Sequence, residues 1–306
     1  MKKIVSLFLV ILFWDPIVSC AQSRKIISQF QDIQGYFNPS LVGYNGTELK
    51  SVVRNQWSSL DRNPKSLYLG ADLDFANLNG KSDSNVEGKN AVGFSLFSDS
   101  HGAFKENQFL LNYSSRIRIS KNANLRLGAG VFYQAVRLDG NLLTFEQQND
   151  PRLSPLQGRV SDQQFLDLNL GIALTHANYY IGLSSQRVNS GRISSGDDFI
   201  DLVPREQIIQ AGYRNSITPN MKVTTDFMFR TWNGGKDILD MNFRVLFKDA
   251  FWIGFGHRFD YASSIQTGIQ IKKLRFGYIY EIPSISSDLL SGNIQEFMLS
   301  YTLFNK

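Results

Sequence analysis

The C-terminal stretch that begins at Phe297, FMLSYTLF, limits the possible fold more than any other part of this sequence. Phe297, Leu299 and Tyr301 alternate with Met298 and Ser300, which is the two-residue period of a β-strand. No further strand follows the stretch in this sequence, so we expect it to pair with an earlier strand. A last strand that pairs backward closes a sheet on itself, and the stretch therefore predicts the seam of a β-barrel.

The preceding sequence supplies the strands that such a barrel needs. About fourteen segments show a two-residue period between clusters of turn-forming residues. In 125–134 and in 166–175, apolar residues occupy every second position, with Gly and polar residues between most of them. We therefore expect an all-β fold, a transmembrane antiparallel up-and-down β-barrel of about 14 strands, over residues 47–306.

The predicted connections differ in length in a regular way. Tight connections fall near 120–123, 177–178, 218–219, 248–249 and 273, and long ones near 139–163, 187–206 and 282–292. Short periplasmic turns that alternate with long outer loops are typical of outer-membrane barrels. A soluble β-sandwich has no reason to sort its loops in this way. The connection near 76–90 breaks the pattern, either as a longer periplasmic segment or as a miscounted strand.

The two faces of the predicted strands differ in polarity. Charged residues within strands lie opposite the apolar set: Arg126, Asp167, Lys222, Asp226, Arg230, Asp240, Arg244 and Arg258. We place them in the lumen, because a charge on the lipid side would cost about 2–4 kcal/mol at the membrane midplane. Phe132, Trp252 and Met298 are expected to fill part of that lumen. Aromatic residues near strand ends are candidates for an interfacial girdle, with core packing as the alternative: Tyr133, Tyr179, Tyr180, Trp232, Tyr280 and Tyr301.

The first 46 residues are not part of the predicted barrel. Residues 1–21 resemble a signal peptide, with Lys2 and Lys3 before an apolar segment and a small-residue cleavage site at Ala21. The sequence around Cys20 also resembles a lipobox, so acylation of Cys20 is the alternative. Residues 22–46 lack strand periodicity and are expected to be a periplasmic N-terminal segment. The sequence leaves open whether this segment plugs the lumen.

No catalytic, metal or cofactor site is predicted. The three histidines, His101, His176 and His257, are dispersed and have no matching nucleophile. Asp197, Asp198 and Asp201 lack EF-hand spacing, so we interpret them as solvated loop acids rather than a cation site. Cys20 is the sole cysteine, which excludes a thiolate metal site. The glycine pairs 128/130 and 254/256 precede no helix and are interpreted as making room for neighbours inside a barrel. Basic residues form no long run, so nucleic-acid binding is not expected.

One group of residues near the start of the barrel resembles a known family. Phe37-Asn38-Pro39, Gly43, Arg54-Asn-Gln56-Trp57 and Pro64 are similar to the "FNPA…G" turn, the "R-x-Q-W" first strand and the following proline of the PorP/SprF family. The last strand also resembles that of the family. Ser40 stands where the family usually has Ala, and Asn305-Lys306 extends past its usual closing aromatic residue.

The resemblance implies an outer-membrane component of the type IX secretion and gliding machinery that is not an enzyme. The partners that it implies are outer-membrane lipid, periplasmic secretion-ring subunits (a lipoprotein and its partner) and a large secreted adhesin or other cargo. The eight motif residues would then have a structural or partner-binding role. The alternative hypothesis is an outer-membrane channel or transporter for a small solute.

Overall fold

The computed structural model describes residues 27–56, 63–78, 90–143, 156, 158–200, 203–284 and 293–304. The predicted signal peptide lies outside these residues. The strands are β1 (Glu48–Gln56), β2 (Lys65–Asp74), β3 (Asn90–His101), β4 (Phe104–Arg118), β5 (Ala123–Asp139), β6 (Val160–His176), β7 (Tyr179–Gln186), β8 (Ile193–Gly196), β9 (Glu206–Thr218), β10 (Met221–Trp232), β11 (Ile238–Phe247), β12 (Phe251–Arg258), β13 (Ala262–Ile271), β14 (Leu274–Pro283) and β15 (Ile294–Thr302).

Fourteen of these strands form one closed antiparallel ring. The last strand, β15, pairs with β1 from Glu48↔Thr302 to Gln56↔Ile294. β5 pairs with β6, which completes the ring on the other side. β8 stands outside this count, because it extends the pairing of β6 beyond the end of β7. The predicted barrel and its seam are therefore confirmed.

The wall separates an apolar outside from a polar inside. On β6, Leu166, Leu168 and Leu170 are 42%, 46% and 50% exposed, whereas Asp167 and Asn169 between them are buried. Alternate side chains of a strand point to opposite faces, so the leucines face outward and the polar residues face the lumen. The other predicted lumen charges are buried too, except Lys222, which lies half-exposed near the end of β10.

The two ends of the barrel differ as the sequence predicts. The turns after β4, β6, β9, β11 and β13 are tight and lie at one end, here called the short-turn end. The long connection after β2 lies at the same end and begins with a short helix, Phe75–Leu78. β2 pairs directly with β3, so no strand was miscounted there.

At the opposite end, here called the outer end, the wall is uneven in height. β5 and β6 each contain 17 residues, and a membrane crossing needs about 9–11. Because their connection to β4 and β7 at the short-turn end is tight, the surplus residues project beyond the outer end.

The hydrophobic core lies inside the barrel, where residues 27–46, here called the plug, fill much of the lumen. The plug contains three short helical turns, Phe30–Asp32, Gln34–Phe37 and Pro39–Leu41. Its apolar residues pack against inward side chains of the wall; this cluster comprises Ile27, Phe30, Ile33, Phe37, Val52, Tyr68, Phe97, Ile208, Met228, Trp252 and Met298. No helix in the described part of the chain has the length and apolarity of a membrane span.

For two of the six girdle candidates, Tyr180 and Trp232, the alternative of core packing holds. Tyr180 is buried and donates a hydrogen bond to Asp226 over Gly212 of the intervening β9 (2.9 Å). Trp232 is also buried and packs against Ile238 at the outer end. Strand alternation explains the position of Tyr180, because Tyr179 faces outward and its neighbour must then face inward.

Candidate functional site

The plug is held by hydrogen bonds from strands all around the ring. Its carbonyl oxygens accept bonds from inward side chains of the wall: Asn242 Nδ2 to Ser28 (2.9 Å), Asn112 Nδ2 to Gly35 (2.9 Å), Ser184 Oγ to Phe37 (2.7 Å) and Ser114 Oγ to Ser40 (2.8 Å). These donors belong to β11, β4 and β7. A segment with so many buried backbone groups needs such partners, since each unsatisfied group would be costly.

The turn at Asn38 and Pro39 is stabilised by local hydrogen bonds inside the plug. Asn38 Oδ1 accepts hydrogen bonds from Ser40 N (3.0 Å) and Ser40 Oγ (2.7 Å), which is a helix cap, and Pro39 takes the first helical position. Gly43 has φ of 67°, a conformation that favours glycine.

The wall is shaped to receive this turn. A Cβ at Gly128 would collide with the backbone of Pro39 and Ser40, and a Cβ at Gly171 would collide with the Asn38 side chain. The interpretation that Gly128 makes room for a neighbour in the lumen is therefore confirmed, and the neighbour is the plug.

Arg54 lies at the centre of a buried ion-pair cluster of the wall that also contacts the plug. It pairs with Glu296 through Nη1 and with Glu281 through Nη2 (3.2 Å), and all three side chains are less than 7% exposed. Glu281 also pairs with Arg258 (3.2 Å). Glu296 accepts a hydrogen bond from the backbone N–H of Ser28 (2.8 Å). The cluster thus joins the plug to β1, β12, β14 and β15.

The remaining predicted site residues lie apart from this cluster. Phe37 packs in the core of the plug. Gln56 ends β1 near the outer end, where its backbone N–H bonds to the carbonyl of Pro64 (3.0 Å). Trp57 lies outside the described residues. The structure thus brings Phe37, Asn38, Pro39 and Gly43 together in the plug and leaves Gln56 and Pro64 in the β1–β2 connection.

Asp32 provides a second attachment of the plug. Its carboxylate pairs with Arg244 (2.7 Å) and Arg275 (2.9 Å), which project from β11 and β14. Burial by itself would raise the pKa of Asp32, but the two guanidinium groups outweigh it and hold the pKa below the usual value of 3.8. The carboxylate is therefore charged at neutral pH and anchors the plug electrostatically.

A cavity of about 1610 Å³ remains between the plug and the wall, and we call it the vestibule. Its floor is formed by plug residues that include Asp32 and Tyr44, and its walls by β1, β7 and β9–β15. The turn residues Asn178, Lys272 and Lys273 also line it, so the vestibule reaches the short-turn end. The plug thus closes the lumen toward the outer end but leaves this chamber at the short-turn end.

The sequence left open whether residues 22–46 plug the lumen, and it gave no indication of the vestibule. A signal for the plug was present, because Ile27, Phe30, Ile33 and Phe37 recur every three or four residues, as in a packed helical segment. The vestibule had no such signal, since its lining residues come from nine strands and meet only once the register is known.

The loop acids do not form a metal site in the described part of the chain. No three His, Cys, Asp or Glu side chains converge there in a way that would hold a metal ion. Asp197 accepts the backbone N–H of Asp162 (3.1 Å), and Asp198 accepts Gln163 Nε2 (3.3 Å). Asp201 lies outside the described residues. The two acids therefore fix the outer connection onto β6.

Comparison with solved structures shows the same kind of fold. The chain is similar to CymD, a monoaromatic hydrocarbon channel, with 11% identity, a TM-score of 0.50 and coverage of 92% of this chain and 94% of that one. It is also similar to the Pseudomonas putida toluene transporter TodX (8% identity, TM-score 0.48, coverage 91% and 93%). A third similar structure is Omp33 from Acinetobacter baumannii (9% identity, TM-score 0.47, coverage 84% and 97%). At 11% identity the similarity to CymD describes the barrel fold alone, and the other two similarities, with TM-scores below 0.5, carry no further argument.

Sequence comparison is more specific. Among curated proteins no sequence matches the chain. The sequence model of one family, described as type IX secretion system membrane protein PorP/SprF, matches residues 19–301, which is nearly the whole chain. The match includes the plug, the Asn38-Pro39 turn, the Arg54 cluster and the closing strand. This chain therefore belongs to the PorP/SprF family of type IX secretion system proteins and is an outer-membrane β-barrel.

Proposed function

We propose that this barrel is a docking component of the type IX secretion and gliding machinery rather than a conduit. In this role the short-turn end holds periplasmic ring subunits, a lipoprotein and its partner, and the outer loops meet a secreted adhesin or other cargo. The orientation follows from loop length, because outer-membrane barrels place short turns in the periplasm and long loops outside.

The filled lumen is the observation that carries this proposal. The plug packs an apolar cluster against the wall, its Asp32 pairs with Arg244 and Arg275, and its Ser28 N–H donates a hydrogen bond to Glu296. Removing one partner of a buried ion pair typically costs about 3–5 kcal/mol, so displacing a plug that contributes Asp32 to such a group would be costly for each transported molecule. A barrel with a fixed interior is suited to a scaffold whose two ends are its working surfaces.

Crosslinking and affinity purification from native outer membrane test the proposal. The tagged full-length barrel should recover periplasmic ring subunits, and an unrelated tagged outer-membrane barrel produced at the same level should not. Recovery of lipid and barrel alone would contradict the docking role.

Planar-bilayer recording tests the competing hypothesis of a solute channel. The docking role predicts no steady open-channel current from the purified barrel, because the plug occupies the lumen. A steady current from the intact protein, combined with failure to recover ring subunits, would favour a channel instead.

A further inference from the structure

The vestibule is larger and more open than a small-molecule site. Its volume of about 1610 Å³ exceeds the roughly 300–1,000 Å³ that pockets for drug-sized ligands usually have. The plug closes it on one side, while turn residues such as Asn178 and Lys272 line its opposite end. A ligand would therefore enter from the short-turn end, and the space suits a segment of polypeptide better than a single solute.

The charge of the vestibule is predominantly positive. Among the lining residues that the structure describes, seven are cationic and four anionic. The cations are Lys50, Arg214, Lys222, Arg244, Lys272, Lys273 and Arg275. The formal excess of three positive charges lies in a concave site with a low-dielectric wall, which focuses the potential on an incoming anion.

The four carboxylates of the lining are already engaged. Asp32 pairs with Arg244 and Arg275, Glu48 with Lys50 (3.4 Å) and Asp249 with Lys222 (2.7 Å), and Asp226 accepts the Tyr180 hydroxyl (2.9 Å). Lys50 also pairs with Asp72, a carboxylate just outside the lining (2.8 Å), which reduces the formal excess from three positive charges to two. The acids of the chain therefore orient several of these cations, and an excess of positive charge remains.

Arg275 shows how the vestibule presents a cation. Its guanidinium lies 4.5 Å from the centre of the Trp252 ring, and its ion pair with Asp32 uses Nη1, one of three nitrogens. The side chain is 34% exposed, so part of the guanidinium faces the chamber. An arginine that is stacked and paired in this way loses little freedom when it binds a carboxylate.

We propose that the vestibule is the docking site for an acidic polypeptide segment of the periplasmic partner. The inference rests on the proposed docking function and specifies its chemistry. Carboxylate side chains of the segment meet Arg275 and Lys222, which are 34% and 45% exposed. Lipid headgroups are the less suitable occupant, because Arg275 and Lys50 lie inside the wall, whereas lipid surrounds its outside.

Fluorescence anisotropy on the full-length barrel in a neutral detergent tests this inference. The probe is a labelled ten-residue glutamate peptide, compared with a Gly-Ser peptide of the same length. We expect saturable binding of the glutamate peptide that weakens as salt is added. Arg275→Gln and Lys222→Gln should each weaken binding by about tenfold, since a hydrogen bond to a charged group is typically worth that much.

Matched variants distinguish peptide binding in the vestibule from nonspecific attraction to surface charge. Lys121 lies exposed in the turn after β4, at the same end but not in the vestibule lining, so Lys121→Gln should leave binding unchanged. Lys272 lies in an exposed turn, so Lys272→Gln should weaken peptide binding without affecting folding. This variant tests the inference even if a substitution within a strand prevents folding. Equal binding by the Lys121 and Lys222 variants, or equal binding of the two peptides, would overturn the inference.

Three further outcomes are informative. If glycerol phosphate at millimolar concentration displaces the peptide completely, a lipid headgroup is the occupant and the inference is wrong. Affinity purification from native membrane then distinguishes the docking function from the proposal that the vestibule is the docking site. If the Arg275→Gln and Lys222→Gln variants recover ring subunits as the wild type does, docking stands and the vestibule is not its site. If the wild type recovers none, the docking function itself fails.

Discussion

Replacement of Arg54 by methionine should destabilise the barrel strongly, because Arg54 neutralises two buried carboxylates. Its side chain is 6% exposed, and those of Glu281 and Glu296 are 3% and 0% exposed. After Arg54→Met, Glu281 keeps its pair with Arg258, but Glu296 keeps only backbone N–H donors from the plug. Loss of one partner of a buried pair costs about 3–5 kcal/mol. We expect about 3 kcal/mol, since both carboxylates retain one type of partner.

The assay is denaturant unfolding of the purified barrel in detergent micelles, followed by tryptophan fluorescence. Arg137→Met is the matched control, because Arg137 forms an exposed ion pair with Asp162 beyond the outer end. This control should unfold at the same denaturant concentration as the wild type.

A double-mutant cycle measures the interaction between Arg54 and Glu296 directly. Glu296→Gln added to Arg54→Met should cost less than the sum of the two single changes, by about 0.5–3 kcal/mol, because the uncompensated charge is then gone. If Arg54→Met lowers the free energy of unfolding no more than the Arg137→Met control does, or if the effects of Arg54→Met and Glu296→Gln are additive, the buried cluster does not stabilise the barrel in this way.

Three more predictions concern plug and outer loop. Gly128→Val should displace the plug and raise planar-bilayer conductance, whereas Ala129→Val on the lipid side should not; unchanged conductance contradicts the close packing. Because the pKa of Asp32 is lowered in the folded protein, its carboxylate should stabilise the folded barrel at neutral pH, and this contribution should be lost as pH falls below about 3.8. The denaturation midpoints of Asp32→Asn and wild type should therefore converge in acid. Gln163→Ala should speed proteolysis of the outer connection, and outward-facing Gln164→Ala should not.

The barrel was predictable because strand alternation is a local property of the sequence. The stretch 179–186 was predicted with the observed limits, and the faces of Phe297 and Met298 were assigned correctly. Strand ends were less predictable. The alternation in the sequence covers 166–175, whereas β6 begins at Val160. Its outer part was not recognised because it has fewer outward-facing apolar residues once it leaves the membrane.

The candidate site was not predictable in the same way, because its contacts join distant parts of the chain. Arg54 and Glu296 are separated by 242 residues, and their meeting depends on the β1–β15 register. The family motif pointed to Arg54, but the pattern did not distinguish a partner contact from packing. Its buried pairing favours a structural role, which the Arg54→Met experiment tests.

The position of Glu296 has a consequence for how the barrel is assembled. Glu296 belongs to the strand made last, and the Ser28 and Arg54 groups that compensate its charge belong to the segments made first. Until these meet, the carboxylate of Glu296 on the closing strand lacks its direct partners in a buried site. We therefore expect sealing of the cylinder and seating of the plug in the lumen to be coupled.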